Sequence, residues 1–240
     1  MNDIKHITFT GVDSRTDLNA LEEIQKEFPI AEFGVLTSYN WAENGNRYLD
    51  PAEIEKLMGR NLNLSLHICG SATRDAMTGN WEKIDEFIGE HLNIFKRCQL
   101  NVSGRKNNPE FAWMPLIIGQ EVIIQQHDKE HIDLFLNSLK QYPNDKFFSV
   151  LLDASGGTGL DTSIDVLSGN YKVGYAGGTG PDNVADKLSE LLKQEGVGDF
   201  WIDMESKVRT DDWFDLDKVH RVLKICKEVY RDFAKEMISR

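Results

Sequence analysis

The chain has 240 residues, 40% hydrophobic and 28% charged, and its 39 acidic against 27 basic residues give a formal net charge of −12. That length suits one α/β barrel or two small domains, and the acidic balance excludes the basic field with which a protein gathers nucleic acid. Three cysteines without a CxxC pair imply a reducing compartment and no structural zinc. The first residues lack a basic stretch leading into an apolar one, and no apolar run reaches about 18 residues, so the expectation is a cytoplasmic protein with no membrane contact.

Ile4 to Thr10 alternates, carries β-branched residues and stops at Gly11, which predicts a first strand. Ser14 or Thr16 is suited to cap a helix with Leu18, Leu21 and Ile24 inward. Glu32 to Thr37 is a second strand, followed by a long polar loop holding Gly45 and Arg47. Asp50-Pro51 opens a second helix, with Asp as N-cap and Pro at the first helical position. Leu62 to Cys69 alternates into Gly70 as a third strand, and Ser71 to Glu90 is helical with a break at Gly79. Ile94 to Val102 is a fourth strand, and Pro109 to Gly119 a short apolar helix. Glu121 to Gln126 is a fifth strand, with a helix over Lys129 to Lys140. Phe147 to Leu152 is a sixth strand, with a short helix near Thr162 to Leu167. Tyr171 to Ala176 is a seventh, before a helix from Pro181 to Gln194 with Pro at its first position. Asp199 to Met204 is the eighth strand, and a long amphipathic helix runs from Asp215 to near Met237.

Strands alternating with helices predict a parallel sheet. The expected fold class is α/β, a single-domain (β/α)8 TIM barrel over residues 1–240, with a doubly wound open sheet as the alternative. Barrel enzymes place their chemistry at the C-terminal strand ends. That rule selects Thr10 and Asp13, Thr37 and Ser38, His67 and Cys69, Gln99 and Asn101, Gln126 and His127, Asp153, Gly177 and Gly178, and Asp203 and Glu205.

Asp153 follows Val150-Leu151-Leu152 and precedes Gly156-Gly157-Thr158-Gly159. An acid there serves as proton donor or acceptor once its surroundings tune it, and equally well caps the turn. A second glycine turn, Gly177-Gly178-Thr179-Gly180, leads into a helix start and is able to offer N–H groups to an anion, or only to turn tightly. His67 lies among alternating apolar residues, where a hydrogen-bonded interior role is the commoner one. His127 and His131 have helical spacing, which a surface helix start explains, so no metal and no cofactor is expected. Arg47 is either solvated or a clamp for a carboxylate or phosphate.

These residues, in this order, resemble the phosphoribosylanthranilate isomerase family, (β/α)8 enzymes of tryptophan biosynthesis. Thr10-Gly11-Val12 sits where the family has Cys-Gly-Ile/Val, and Asn46-Arg47-Tyr48 before Pro51-Ala52-Glu53 is similar to its Arg-Tyr…Pro-Glu segment. Gln99-Leu100-Asn101 resembles its Gln-Leu-His. Leu151-Leu152-Asp153 with Gly156-Gly157-Thr158-Gly159, and Ala176-Gly177-Gly178 with Pro181-Asp182-Asn183-Val184, match its two glycine motifs.

The resemblance implies an Amadori rearrangement, in which an acid opens a ribose ring and a base then moves a proton from C2. It puts Asp153 at the acid, Arg47 at the arginine that holds the anthranilate carboxylate, and Gly177 and Gly178 in the phosphate cradle. Three departures accompany it. Thr10 replaces the cysteine base, and a hydroxyl has no useful basicity near neutral pH. The loop between Asp153 and Gly156 is short. Glu205-Ser206-Lys207-Val208-Arg209 replaces Ser-Ser-Gly-Val-Glu, so a carboxylate enters the phosphate loop.

The expectation is therefore an isomerase or related acid–base enzyme on a small sugar-like or phosphorylated metabolite. Asp153, Thr10 and Asp13 are its catalytic candidates, with Asp13 or Cys69 as the base. Arg47, His67, Asn101, Gly177, Gly178 and Glu205 are its binding candidates. A non-catalytic binding protein on the same barrel and an unchanged tryptophan-pathway isomerase stand as alternatives. Partners are limited to a small-molecule substrate, in a monomer or homodimer.

Overall fold

The structure is a computed structural model and describes residues 4–43, 45–102, 120–139, 147–164, 166–167, 172–194 and 198–239. Eight parallel strands close into a barrel in chain order: β1 (Ile4–Thr10), β2 (Ala31–Thr37), β3 (Leu64–Ile68), β4 (Arg97–Leu100), β5 (Glu121–Gln126), β6 (Phe148–Asp153), β7 (Val173–Ala176) and β8 (Phe200–Met204). β8 returns to β1 with Thr8 opposite Asp203, which closes the sheet and removes its edges. The open-sheet alternative is thereby excluded.

The described α-helices are α1 (Leu18–Glu27), α2 (Pro51–Glu55), α3 (Gly70–Thr78), α4 (Trp81–Ile88), α5 (Lys129–Leu139), α6 (Val184–Lys193) and α7 (Leu216–Ile238). Asp50 and Glu53 form the two halves of a capping box at α2, and Gly79 ends α3 at φ 88°, which fits the expected break there.

Several boundaries move. Asp17, not Ser14 or Thr16, caps α1 by accepting from the N–H groups of Asn19 and Ala20. Pro181 precedes α6 in a turn that the Val184 N–H closes on the Gly180 carbonyl, so Asn183 holds the cap position. A short 3₁₀ segment occupies Gly89–Ile94, and β4 begins only at Arg97. Residues 162–164 and 166–167 are not helical. The helix expected at Pro109 to Gly119 lies outside the described residues. No described helix is long and apolar enough to cross a membrane.

Two cores follow from the strand alternation. Outward-facing Phe9, Phe33, Val35 and Leu66 join the helices in one large apolar cluster. The barrel interior differs. Its apolar part is a separate cluster of Ile123, Leu151 and Trp201, with Ala176 packed against it. The remainder is polar: Thr8 donates to Glu32 at 2.9 Å, and Arg97 pairs with Glu32 at 3.1 Å while stacking over the Trp201 ring. Barrel interiors are usually filled by branched aliphatic residues. Gly174 on β7 admits the Trp201 indole, because a Cβ there would overlap that ring.

Candidate active site

The strand ends converge on a cavity at the C-terminal mouth, with about 520 Å³ of empty space including its open side. Alternation decides which side chains reach it. On β5 the inward residue is Gln125, because Ile123 two positions earlier already faces the interior. Gln126, the strand's last residue, faces away, so the expectation of Gln126 at the site is corrected by parity. His127 lies beyond the mouth, with its Nδ1 3.3 Å from the Asp153 carbonyl.

Asp203 ends the inward face of β8. Thr10 on β1 donates to its Oδ1 at 2.8 Å. Burial pushes the Asp203 carboxyl up to about 8; the Thr10 hydrogen bond opposes the rise, and the neighbouring Glu205 and Glu32 charges add to it. Gly34 on β2 lets this corner close. A Cβ there would meet Thr10 Oγ1 at 2.6 Å and His67 Nε2 at 3.0 Å. Asp203 is recognisable in the sequence as a strand-end acid, but its role is not, since only tertiary burial alters its proton affinity.

Asp153 is held by its own turn. Its Oδ1 accepts from the Ser155 N–H at 3.1 Å and the Ser155 hydroxyl at 2.7 Å. Its Oδ2 accepts from Gln125 at 3.0 Å and from the Gly157 N–H at 2.8 Å. Four donors fill the lone-pair sites of one carboxylate, so the turn-capping role is realised in full. The side chain still lines the cavity with Asp203.

A hydrogen-bonded row crosses β3 and β4. Gln99 donates to His67 Nδ1 at 3.1 Å and to Asn101 at 2.9 Å, and His67 Nε2 lies 3.1 Å from the Ser65 hydroxyl. With Gln99 as donor, Nδ1 accepts and Nε2 carries the proton. Burial lowers His67 to about 3, so the ring is neutral. Asn101 donates to Cys69 Sγ at 3.1 Å. Burial pushes the Cys69 thiol up to about 11 although hydrogen bonds from Tyr48 and Asn101 oppose it. Cys69 is thus a thiol near neutral pH, which removes it as the base in Thr10's place.

The remaining candidates form struts around the mouth. Asp13 is fully buried, 2.9 Å from Arg209 Nη2, and accepts from the Phe214 and Arg15 N–H groups. It ties the loop after β1 to the hairpin of β9 (Arg209–Thr210) and β10 (Trp213–Phe214), and it does not line the cavity. Arg47 is clamped between Glu205 at 2.6 Å and Asp212 at 2.8 Å, with Ser206 at 3.3 Å. Glu205 lines the cavity, as do Gly177 and Gly178. Among the described residues no cluster of His, Cys, Asp and Glu is arranged for a metal ion.

No protein-family model matches this chain, and no curated protein matches it in sequence. Solved structures do share its fold. N-(5'-phosphoribosyl)anthranilate isomerase from Pyrococcus furiosus superposes with a TM-score of 0.57 at 17% identity, over 93% of this chain and 98% of that one. Phosphoribosyl anthranilate isomerase from Thermococcus kodakaraensis gives 0.57 at 15% identity, over 95% and 99%. D-psicose 3-epimerase from Clostridium cellulolyticum H10, solved with D-tagatose, gives 0.50 at 10% identity, over 97% and 99%. At such identities the likeness is one of fold: what this chain shares with these proteins is the closed (β/α)8 barrel.

Proposed function

We propose that this protein is an acid–base enzyme of the isomerase type, moving a proton beside the carbonyl of a small sugar-like metabolite, with Asp203 as the group that exchanges the proton. The observation that carries the proposal is the buried Asp203 carboxyl, raised to about 8, in a cavity it shares with Asp153. A carboxylate whose acid titrates there is a stronger base than an ordinary one and changes state near working pH.

Ionised Asp203 takes the proton from the carbon next to the carbonyl. The C–H electron pair forms the C=C bond of an enediolate, and the carbonyl π pair moves onto oxygen. Lys207, the cation that lines the cavity among the described residues, offsets that charge. Protonated Asp203 then returns the proton to carbon. Asp153 shapes the β6 turn, and a substrate hydroxyl reaches it by displacing Ser155 or Gln125.

The names of the structural neighbours, two isomerases and a sugar epimerase, support the reaction class. The unchanged tryptophan-pathway activity is disfavoured by Thr10 at the base position and by the engagement of Arg47 with Glu205. The saturated hydrogen bonding of Asp153 favours a second reading, a binding protein without turnover.

Deuterium uptake from D2O into the carbon-bound position beside the carbonyl, measured by NMR across a panel of aldoses and ketoses, separates the two. Uptake by the native protein that vanishes in Asp203→Asn supports the enzyme, whereas uptake that survives in Asp203→Asn sinks the role given to this residue. Binding without uptake supports the second reading. Growth of a tryptophan auxotroph lacking the isomerase is expected to fail.

A further inference from the structure

Gln99 stands on the inward face of β4, with Arg97 on the same face, while Cys98 and Leu100 point outward into the large apolar cluster. It lines the cavity and is 2% exposed. The proton transfer proposed above makes no use of it.

A chain of hydrogen bonds fixes which way its amide faces. Cys69 spends its S–H on the His67 carbonyl, 3.7 Å away, so its sulfur is left as an acceptor. Asn101 therefore turns its amide nitrogen to that sulfur, at 3.1 Å, and its oxygen to Gln99. Gln99 must then present its own nitrogen, which donates to Asn101 at 2.9 Å and to His67 Nδ1 at 3.1 Å. Both amide hydrogens are thereby used. Oε1 is left on the far side of the amide carbon from His67.

That oxygen is buried and has no hydrogen-bond partner among the described residues. Its flanks explain why. The register partner of Gln99 on β5 is Ile123, which has no side-chain donor. Gln125, the next inward residue on β5, sends its amide nitrogen to Asp153 at 3.0 Å. The Thr10 hydroxyl is committed to Asp203. A buried acceptor without a donor is costly, and native interiors rarely leave one so. Since this acceptor belongs to a side chain of the cavity wall, the donor that satisfies it comes with the ligand.

We infer that Gln99 is a substrate-binding residue that sets specificity, its Oε1 accepting the hydrogen of one hydroxyl group of a polyhydroxy ligand. This rests on the sugar-like ligand proposed above and adds the residue that reads one of its hydroxyls. Free sugars and their phosphate esters alike carry such a hydroxyl. An analogue deoxygenated at that one carbon leaves Oε1 unpaired and is discriminated against.

The test uses the full chain, native and Gln99→Met. D-ribulose, D-fructose and their terminal phosphate esters are titrated by ligand-observed NMR. The tightest binder is then compared with its analogues deoxygenated in turn at each hydroxyl-bearing carbon. The native protein is expected to bind one of these analogues about tenfold more weakly than the parent. Q99M is expected to bind the parent about tenfold more weakly than the native protein does, with no further loss for that analogue. If Gln99 only supports the wall, Q99M weakens every ligand alike and each deoxygenation penalty persists; that result overturns the inference, as does failure of the whole panel to bind. Deuterium uptake in D2O is followed in parallel. The coupled loss without uptake upholds the inference and removes the acid–base proposal, whereas uptake without the coupled loss does the reverse. Should Q99M fail to fold, a crystal structure of the native protein with the parent bound decides. A ligand hydroxyl within about 3.2 Å of Gln99 Oε1 upholds the inference, and a water or no polar atom there overturns it.

Discussion

Thr10 Oγ1 donates to Asp203 Oδ1 at 2.8 Å across the seam where β1 meets β8, between residues 193 positions apart in the chain. The contact joins the replaced base position of the resembled family to a carboxyl whose burial raises it to about 8. If Asp203 is the base, it works only when ionised. The rate constant kcat/KM is expected to rise with pH and level off above about 8. Thr10→Val removes a hydrogen bond that favours the ionised form, so the rising limb is expected to move up by about one pH unit. A pH–rate profile of both proteins checks this, and an unmoved limb would separate Thr10 from the proton step.

The same shift has a consequence for stability. In the unfolded chain an aspartate titrates near ~4, whereas folded Asp203 titrates at about 8. Between those values the folded state binds more protons, so this group makes stability fall as pH rises. Asp203→Asn removes the effect. Urea unfolding at pH 5 and pH 9 is expected to show the native protein losing stability relative to D203N, by roughly 1.4 kcal/mol per pH unit inside the window. Parallel curves for the two proteins would refute the raised value.

Arg97 and Glu32 are 4% and 1% exposed and pair at 3.1 Å inside the barrel. Arg97→Met strands the Glu32 charge in the interior, and a loss of about 3–5 kcal/mol is expected. Adding Glu32→Gln to the same chain is expected to recover much of it. Denaturant unfolding of the two single variants and the double variant measures the coupling, and additive losses would contradict it.

Gly174 shows how the interior packing is achieved. Its missing side chain is the space that the Trp201 indole fills. Gly174→Ala overpacks the barrel and is expected to cost about 1–3 kcal/mol. Pairing it with Trp201→Leu vacates the space, so the double variant is expected to be more stable than G174A alone. Thermal denaturation orders the three proteins.

Much of the barrel is legible in the sequence. Eight strand signals sit where the eight strands form, because alternation, β-branching and glycine stops act within a few residues. Asp50-Pro51 and Gly79 mark a helix start and a helix break for equally local reasons. Asp153 is also legible, since the apolar run before it and the glycines after it are contiguous.

Tertiary structure alone decides the rest. It makes Asp13 a strut for Arg209, sets Arg47 against Glu205, and holds Cys69 as a thiol. It also moves interest from Asp153 to Asp203. The sequence determined which acids lie at strand ends. Which of them is saturated by donors and which is stripped of water depends on strand closure, on Gly34 and on neighbours far apart in the chain, because desolvation is a property of the assembled cavity.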